Sequence, residues 1–184
     1  MRRTVVIVGV AMAVGLVQGC GDGGGSSSAP SPDTGRRLAV SSPAFAEGGT
    51  IPRRHTCDGE DVSPPLAFSG LPPATVTLAL LVQDPDAPHG TFTHWLLWNA
   101  PPDRTGWPAG QVPRGTVQGR NGFKRTGYGG PCPPRGDQPH HYVFTVYAAD
   151  RTLHLPSDAS PDDLGRALAG HTLASGTLTG RYGR

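Results

Sequence analysis

Few of the residues that announce a chemistry are present in quantity. The 184-residue chain has three cysteines, none of them in a C-x-x-C pair, and its seven histidines include no H-x-x-x-H spacing. Neither zinc-ligand pattern is therefore available. Charge of one sign is also missing. The sixteen Lys and Arg exceed the fourteen Asp and Glu by two, and Arg2 and Arg3 at the extreme N-terminus account for that excess. No basic patch interleaved with aromatics appears, which argues against a nucleic-acid partner. No serine sits in a nucleophile elbow. Beyond Val17 no apolar run is long enough to span a bilayer, and the residues call for no cofactor.

The N-terminus reads as an address. Arg2 and Arg3 form a positive n-region and Val5 to Val17 an apolar h-region, the pattern of a signal peptide over residues 1–19. Val17-Gln18-Gly19-Cys20 resembles a bacterial lipobox, with Gln18 an unusual occupant, so Cys20 is the expected lipidation site. Ordinary cleavage and secretion is the alternative. Residues 20–35 are rich in Gly, Ser and Pro and read as a flexible tether. The expected location is extracytoplasmic, lipid-anchored to a bacterial membrane. Residues 36–184 then form one domain.

With Cys20 carrying lipid, Cys57 and Cys132 remain in a disulfide-permissive space. Bridged, they close a loop of about 76 residues, worth roughly 4 kcal/mol in loop-closure entropy. The alternative is two thiols, because sequence says nothing about whether their Cα atoms approach.

Strand signals dominate the domain. Thr75–Gln83 is nearly continuous apolar and β-branched, the pattern of a central strand covered on both faces. His94–Asn99 and His141–Ala148 are further runs; in the second, Tyr142, Phe144 and Val146 face one way and Val143, Thr145 and Tyr147 the other. Leu38–Ser42, Leu66–Ser69 and Ser175–Tyr182 are extended candidates. Proline and glycine turns separate them, including a long segment from Gly106 to Gly136. One helix is well marked, with Ser160 as N-cap, Pro161 at its first position, Asp162 and Asp163 in the first turn, and Leu164, Ala167 and Leu168 inward. It ends at Gly170 or runs on to Ala174. The sum is a mainly β protein, an antiparallel β-sandwich with a few peripheral short helices.

Two stretches carry the candidate site. Asp84 closes one strand before Pro85, and His94 opens another. His140 and Tyr142 share a face at the start of a third, with His141 turned away as a solvated or sheet-face residue. A sheet aims Asp84, His94, His140 and Tyr142 into one mouth, an arrangement that suits a small anion better than a reaction centre. A carboxylate beside His94 would orient the imidazole and raise its pKa. Asp84 must then be spent on His94 or on another donor, or be protonated, since a free carboxylate repels the same ligand. Asp86 is expected to make an Asx turn, and Ala87-Pro88 is a candidate cis bond. The Pro133-Pro134-Arg135-Gly136 loop has two readings of equal weight, an anion nest built from free N–H groups and an ordinary proline turn.

In order along the chain, Thr56-Cys-Asp-Gly-Glu-Asp-Val-Ser-Pro-Pro-Leu66, Asp84-Pro-Asp-Ala-Pro88, His94-Trp-Leu-Leu-Trp-Asn99, Gly127-Tyr-Gly-Gly-Pro-Cys-Pro-Pro134, His140-His-Tyr142 with Val146-Tyr147, and the tail from Gly170 to Tyr182 resemble the phosphatidylethanolamine-binding protein family, also called Raf kinase inhibitor-like. The resemblance covers nearly the whole domain. It implies a β-sandwich with a small cavity for anions, including phosphorylated head groups, lined by Asp84, His94, His140 and Tyr142 and rimmed by Pro134 and Gly136. The loop from Pro88 to Thr93 is short beside that of the animal proteins, and the tail differs from their closing helix, so binding of a whole phospholipid does not carry over.

The functional expectation is a non-enzymatic binding protein for phosphate-type ligands or phospholipid head groups. Two alternatives belong to other classes. One is an inhibitor of a protease or kinase through protein–protein contact. The other is a hydrolase using Asp84 and His94 as an acid–base pair, with or without a metal at Asp84, His94 and His140.

Overall fold

The computed structural model describes residues 37–184. The signal peptide, the tether and Cys20 lie outside the described residues. Eight strands and one α-helix follow in order: β1 (Ala39–Ser41), β2 (Leu66–Ser69), β3 (Thr77–Asp84), β4 (Phe92–Ala100), β5 (Gly106–Trp107), β6 (Val117–Gln118), β7 (His140–Ala149), α1 (Pro161–Leu168) and β8 (Thr172–Tyr182). A 3-10 turn covers Arg53–His55. The strands make two antiparallel sheets, a small one ordered β1-β2-β5 and a large one ordered β6-β4-β3-β7-β8.

The continuous apolar run becomes the middle of the large sheet. All eight residues of β3 are buried, and alternation divides them between two cores. Leu78, Leu80 and Val82 join Phe144 and Val146 of β7 and Leu66, Phe68 and Trp107 of the small sheet, filling the space between the sheets. Ala79 and Leu81 point the other way, where Leu96, Trp98 and Tyr147 meet Leu164 and Leu168 of the helix. The layers are thus small sheet, large sheet and helix. The helix begins in a capping box in which the Ser160 side chain accepts from the Asp163 amide and the Asp163 carboxylate accepts from the Ser160 amide. It ends at Leu168, before Gly170 at a φ of 73°, and the residues after it enter the longest strand instead of extending the helix.

One strand irregularity matters below. Between β3 and β4, Val82 faces Trp95 while Gln83 faces Thr93. One step on β3 therefore spans two on β4, and His94 is the extra residue of a β-bulge. The segment from Gly106 to Gly136 is not one loop. It contributes β5 to the small sheet and β6 to the edge of the large one. No cis peptide bond occurs among the described residues, so Ala87-Pro88 is trans, as most X-Pro bonds are.

Candidate functional site

Three neighbouring strands bring one end each to the same place. Asp84 is the last residue of β3, His94 the third of β4, and His140 and Tyr142 the first and third of β7. Asp84 lies two residues after Val82, and Tyr142 two before Phe144, so both continue the face between the sheets. His94 would lie on the opposite face from Trp95 in a regular strand. The bulge lets both turn inward: Trp95 enters the inter-sheet core, and the His94 ring meets that of Tyr142 edge-on at 5.1 Å. The four side chains are nearly shut off from solvent, at 3% exposure for Asp84 and His94, 5% for His140 and 0% for Tyr142.

Of the alternatives open for Asp84, the structure shows the second, another donor. Asp84 is spent on His140, whose Nδ1 lies 2.7 Å from Asp84 Oδ2, and not on His94. The other nitrogen of His140, Nε2, faces Asp137 Oδ2 at 3.8 Å. His94 Nδ1 instead lies 2.7 Å from the Gly129 carbonyl, and the Gly129 amide donates back to the His94 carbonyl at 3.0 Å. The neighbouring Gly130 amide donates to Asp61 Oδ1 at 2.6 Å, and Arg125 donates to Asp61 Oδ2 at 2.8 Å. Asp61 holds this strip with a φ of 55°, a left-handed conformation that Asp tolerates better than most residues. A loop of glycines, braced by one carboxylate, thus orients the imidazole.

The electrostatics follow from burial. The His94 pKa is lowered, not raised: burial disfavours the cation, and the Gly129 carbonyl and the charge of Asp84 offset this only in part. The Tyr142 hydroxyl is pushed well up, first by burial and then by the Asp84 carboxylate, so it stays protonated. It makes no hydrogen bond of normal geometry among the described residues, although the Asp84 carboxylate and the Cys132 backbone lie close enough to act on it.

The turn after β3 also exchanges its expected roles. Asp84 itself makes the Asx turn, its Oδ1 accepting from the Asp86 amide at 2.9 Å. Asp86 reaches across to β7 and accepts from both the backbone N–H and Nδ1 of His141, each at 2.7 Å. Burial works to raise the Asp86 pKa, but the two His141 bonds outweigh it and hold the carboxyl below its ordinary range. His141, expected to be merely solvated, is half-exposed and pinned. Two Asp–His contacts, one buried and one at the surface, therefore fasten the β3–β4 turn to the start of β7.

Cys57 and Cys132 are joined in a disulfide with Cα atoms 5.4 Å apart, linking the segment after the 3-10 turn to the loop leading into β7. Pro134 and Gly136 are exposed on that loop. The nest reading weakens, because the Gly136 amide donates to Arg184 and the Asp137 amide toward Pro134. Beside Asp137 and Pro139 a cleft of ≈ 550 Å³ opens, lined also by Arg181 and Arg184. A groove of ≈ 410 Å³ around Arg104, Trp107 and Arg114 lies elsewhere and touches none of the four site residues.

Several site neighbours had no signal of their own. Phe92 and Phe123 pack edge-on against His94 at 5.1 and 5.5 Å. Asn121 shapes the Phe123 loop by accepting from the amides of Phe123 and Arg125 and donating to the Gly127 carbonyl. Its Asn-Gly dipeptide, a turn signal, was the one available clue.

Comparison with known proteins fits this geometry. The phosphatidylethanolamine-binding protein family matches residues 41–183, and the chain belongs to that family. UPF0098 protein PH1269 of Pyrococcus horikoshii is 44% identical over 191 residues, covering 100% of this chain and 91% of that protein. A Mycobacterium tuberculosis protein whose name, LppC, marks it as a candidate lipoprotein is 36% identical over 98% of this chain and 96% of its own length. Among solved structures, YbcL of E. coli, described as a member of the mammalian PEBP family, superposes with a TM-score of 0.76 at 34% identity. It covers 80% of this chain and 99% of its own. The mainly β architecture and the family assignment agree with the sequence reading.

Proposed function

We propose that the domain is a non-enzymatic receptor for phosphate-type anions, including phosphorylated head groups, bound among Asp84, His94, His140 and Tyr142. The observation that carries this reading is the meeting of these four side chains, from three strands, around a buried Tyr142 hydroxyl that makes no hydrogen bond of normal geometry. An anion oxygen would give that hydroxyl a better-placed acceptor. Binding is favoured over an Asp84–His94 acid–base pair because both Asp84 oxygens are already engaged, Oδ2 with His140 and Oδ1 with Asp86, so the two residues do not act on one another through a hydrogen bond. A few charge-assisted bonds, less the cost of immobilising the ligand, give an affinity of about 1 mM, near −4 kcal/mol. Isothermal titration with phosphate and phosphoethanolamine tests it. Saturable heat that vanishes in His94→Ala is expected; no heat with either ligand, or undiminished heat in the variant, refutes the site.

We further propose that Cys20 carries the lipid that holds the domain to the outer side of a bacterial membrane. The lipobox-like residues and the name of the mycobacterial relative support this reading. Cys20→Ala should move the protein from the membrane fraction to the soluble one. Retention in the membrane counts against the anchor.

A further inference from the structure

We propose that the groove beyond β4 binds a carboxylate joined to an apolar body, held by Arg104 and Arg114. It lies at the opposite end of β4 from His94, and the inference does not depend on the phosphate site above. The groove encloses ≈ 410 Å³, within the roughly 300–1,000 Å³ of small-ligand pockets. One continuous stretch builds it, from Pro101 through β5 to Arg114. Trp107, Val112, Pro101, Pro108 and Pro113 supply its apolar wall. Trp107 is 3% exposed and packs edge-on against Phe68 at 5.2 Å, so a core residue anchors the wall. Val112 is exposed and leaves apolar surface open to a ligand.

The charges of the groove are unspent. Arg104 and Arg114 are exposed, and their side chains make neither an ion pair nor a hydrogen bond among the described residues. Elsewhere on the surface arginine is held: Arg54 by Glu60, Arg125 by Asp61, Arg166 by Asp163 and Arg184 by Asp58. One carboxylate, Asp103, shares the groove, and two guanidinium groups against it leave one positive charge over. That balance suits a monoanion and disfavours a phosphate dianion, which Asp103 would repel more strongly. A guanidinium is a planar fork of donors that matches the two oxygens of a carboxylate. The Trp107 indole N–H is buried without an acceptor, one further unspent donor on a ring that lines the groove.

The backbone fixes the shape of this stretch. The Gly110 amide donates to both the carbonyl and the hydroxyl of Ser63, at 3.1 and 3.2 Å. The Gln111 amide donates to the Pro108 carbonyl at 3.2 Å. Gly106 lies so close to β2 that a Cβ there would meet the Leu66 carbonyl oxygen at 2.3 Å, and the prolines restrict φ on either side. A wall shaped in advance spares a ligand part of the ordering cost. A neighbouring hollow of ≈ 530 Å³ shares Asp103, Arg104, Trp107 and Pro108, so Arg104 also borders room for a longer body. A free organic acid and the C-terminal end of an apolar peptide both present this chemistry. No covalent step is involved.

The indole N–H signals of Trp95, Trp98 and Trp107 in the ¹⁵N-labelled protein report on the groove. Hydrocinnamate is the probe, and hydrocinnamamide, of the same shape without the charge, is its control. The acid should move the Trp107 signal saturably, with a half-point of about 1 mM, and leave Trp95 and Trp98 in place. The amide should bind about tenfold more weakly, and the double variant Arg104→Gln/Arg114→Gln should lose about tenfold in affinity for the acid. Both arginine side chains are exposed and unpaired, so the variant keeps the fold. N-acetyl-alanyl-phenylalanine with a free C-terminus separates the sources: tighter binding than hydrocinnamate assigns a peptide end, equal or weaker binding a free acid. Equal binding of hydrocinnamate and its amide, undiminished affinity in the double variant, or a Trp107 signal that neither acid moves overturns the inference. The phosphate site is read separately, at His94, and stands or falls on its own titration.

Discussion

Asp84→Ala strikes the network at its most connected point, and the structure sets the size of the effect. The carboxylate accepts from His140 Nδ1 at 2.7 Å and from the Asp86 amide at 2.9 Å. His140 is 5% exposed, so truncation leaves its Nδ1–H in a pocket that water barely reaches. Leaving a buried donor without its acceptor costs about 1–3 kcal/mol, and the loss of a carboxylate partner sits at the upper end of that range. Pro85 and Asp86 are exposed, so water can replace the lost bond to the Asp86 amide and that contribution is small. A domain of about 150 residues loses roughly 3 °C of melting temperature per kcal/mol, which puts Asp84→Ala about 9 °C below wild type. Asp84→Asn keeps an oxygen to accept from His140 and loses only the charge; its cost should be under about 2 kcal/mol. Thermal unfolding followed by circular dichroism, with urea titration for the free energy, distinguishes the two. An alanine variant that melts within 3 °C of wild type, or an asparagine variant as unstable as the alanine one, would show that the pair does not brace this end of the sheet.

Two further outcomes follow from other parts of the structure. Reduction of Cys57–Cys132, separated by 75 positions, or its replacement by a serine pair, should cost about 4 kcal/mol and lower the melting temperature by roughly 12 °C; a scan with and without reductant reads this directly. Stability should also fall as pH is lowered past the ordinary histidine value of 6.5, because unfolded His94 gains a proton there while buried His94 resists. The unfolded chain binds more protons across that window, so this contribution is complete above pH 6.5 and is lost as pH drops through the folded pKa. Urea titrations at a series of pH values should show a shallower decline for His94→Asn than for wild type; identical slopes would contradict the assignment.

The long strands were legible because composition alone marks them. Thr75–Gln83 has no polar side chain to turn outward except threonines and a terminal glutamine, and only a strand covered on both faces accommodates it. Alternation in β7 likewise separated Tyr142, Phe144 and Val146 from Tyr147. The capping residues Ser160 and Asp163 act within four positions of each other, so the helix start was equally readable. The pairing inside the site was not. Whether Asp84 meets His94 or His140 depends on which strands are neighbours and on register, and both are settled by contacts distant in sequence. The bulge at His94 is a one-residue slip between β3 and β4 with no signature in either strand. The His94 pKa was misjudged for the same reason: with Asp84 assigned to His140, burial is left as the dominant influence. Strands β5 and β6, two residues each, are too short to show any period, and the prolines and glycines around them read as loop.

The central claim is that one anion occupies the space among Asp84, His94, His140 and Tyr142, and the histidine side chains report on it most directly. A long-range ¹H–¹⁵N spectrum recorded during a titration with methyl phosphate at pH 6.5 should show His94 and His140 shifting together and saturating at a common half-point of about 1 mM, while His55, His89, His154 and His171 stay fixed. Shifts confined to those outlying histidines, or none at His94 at saturating phosphate, would contradict the account.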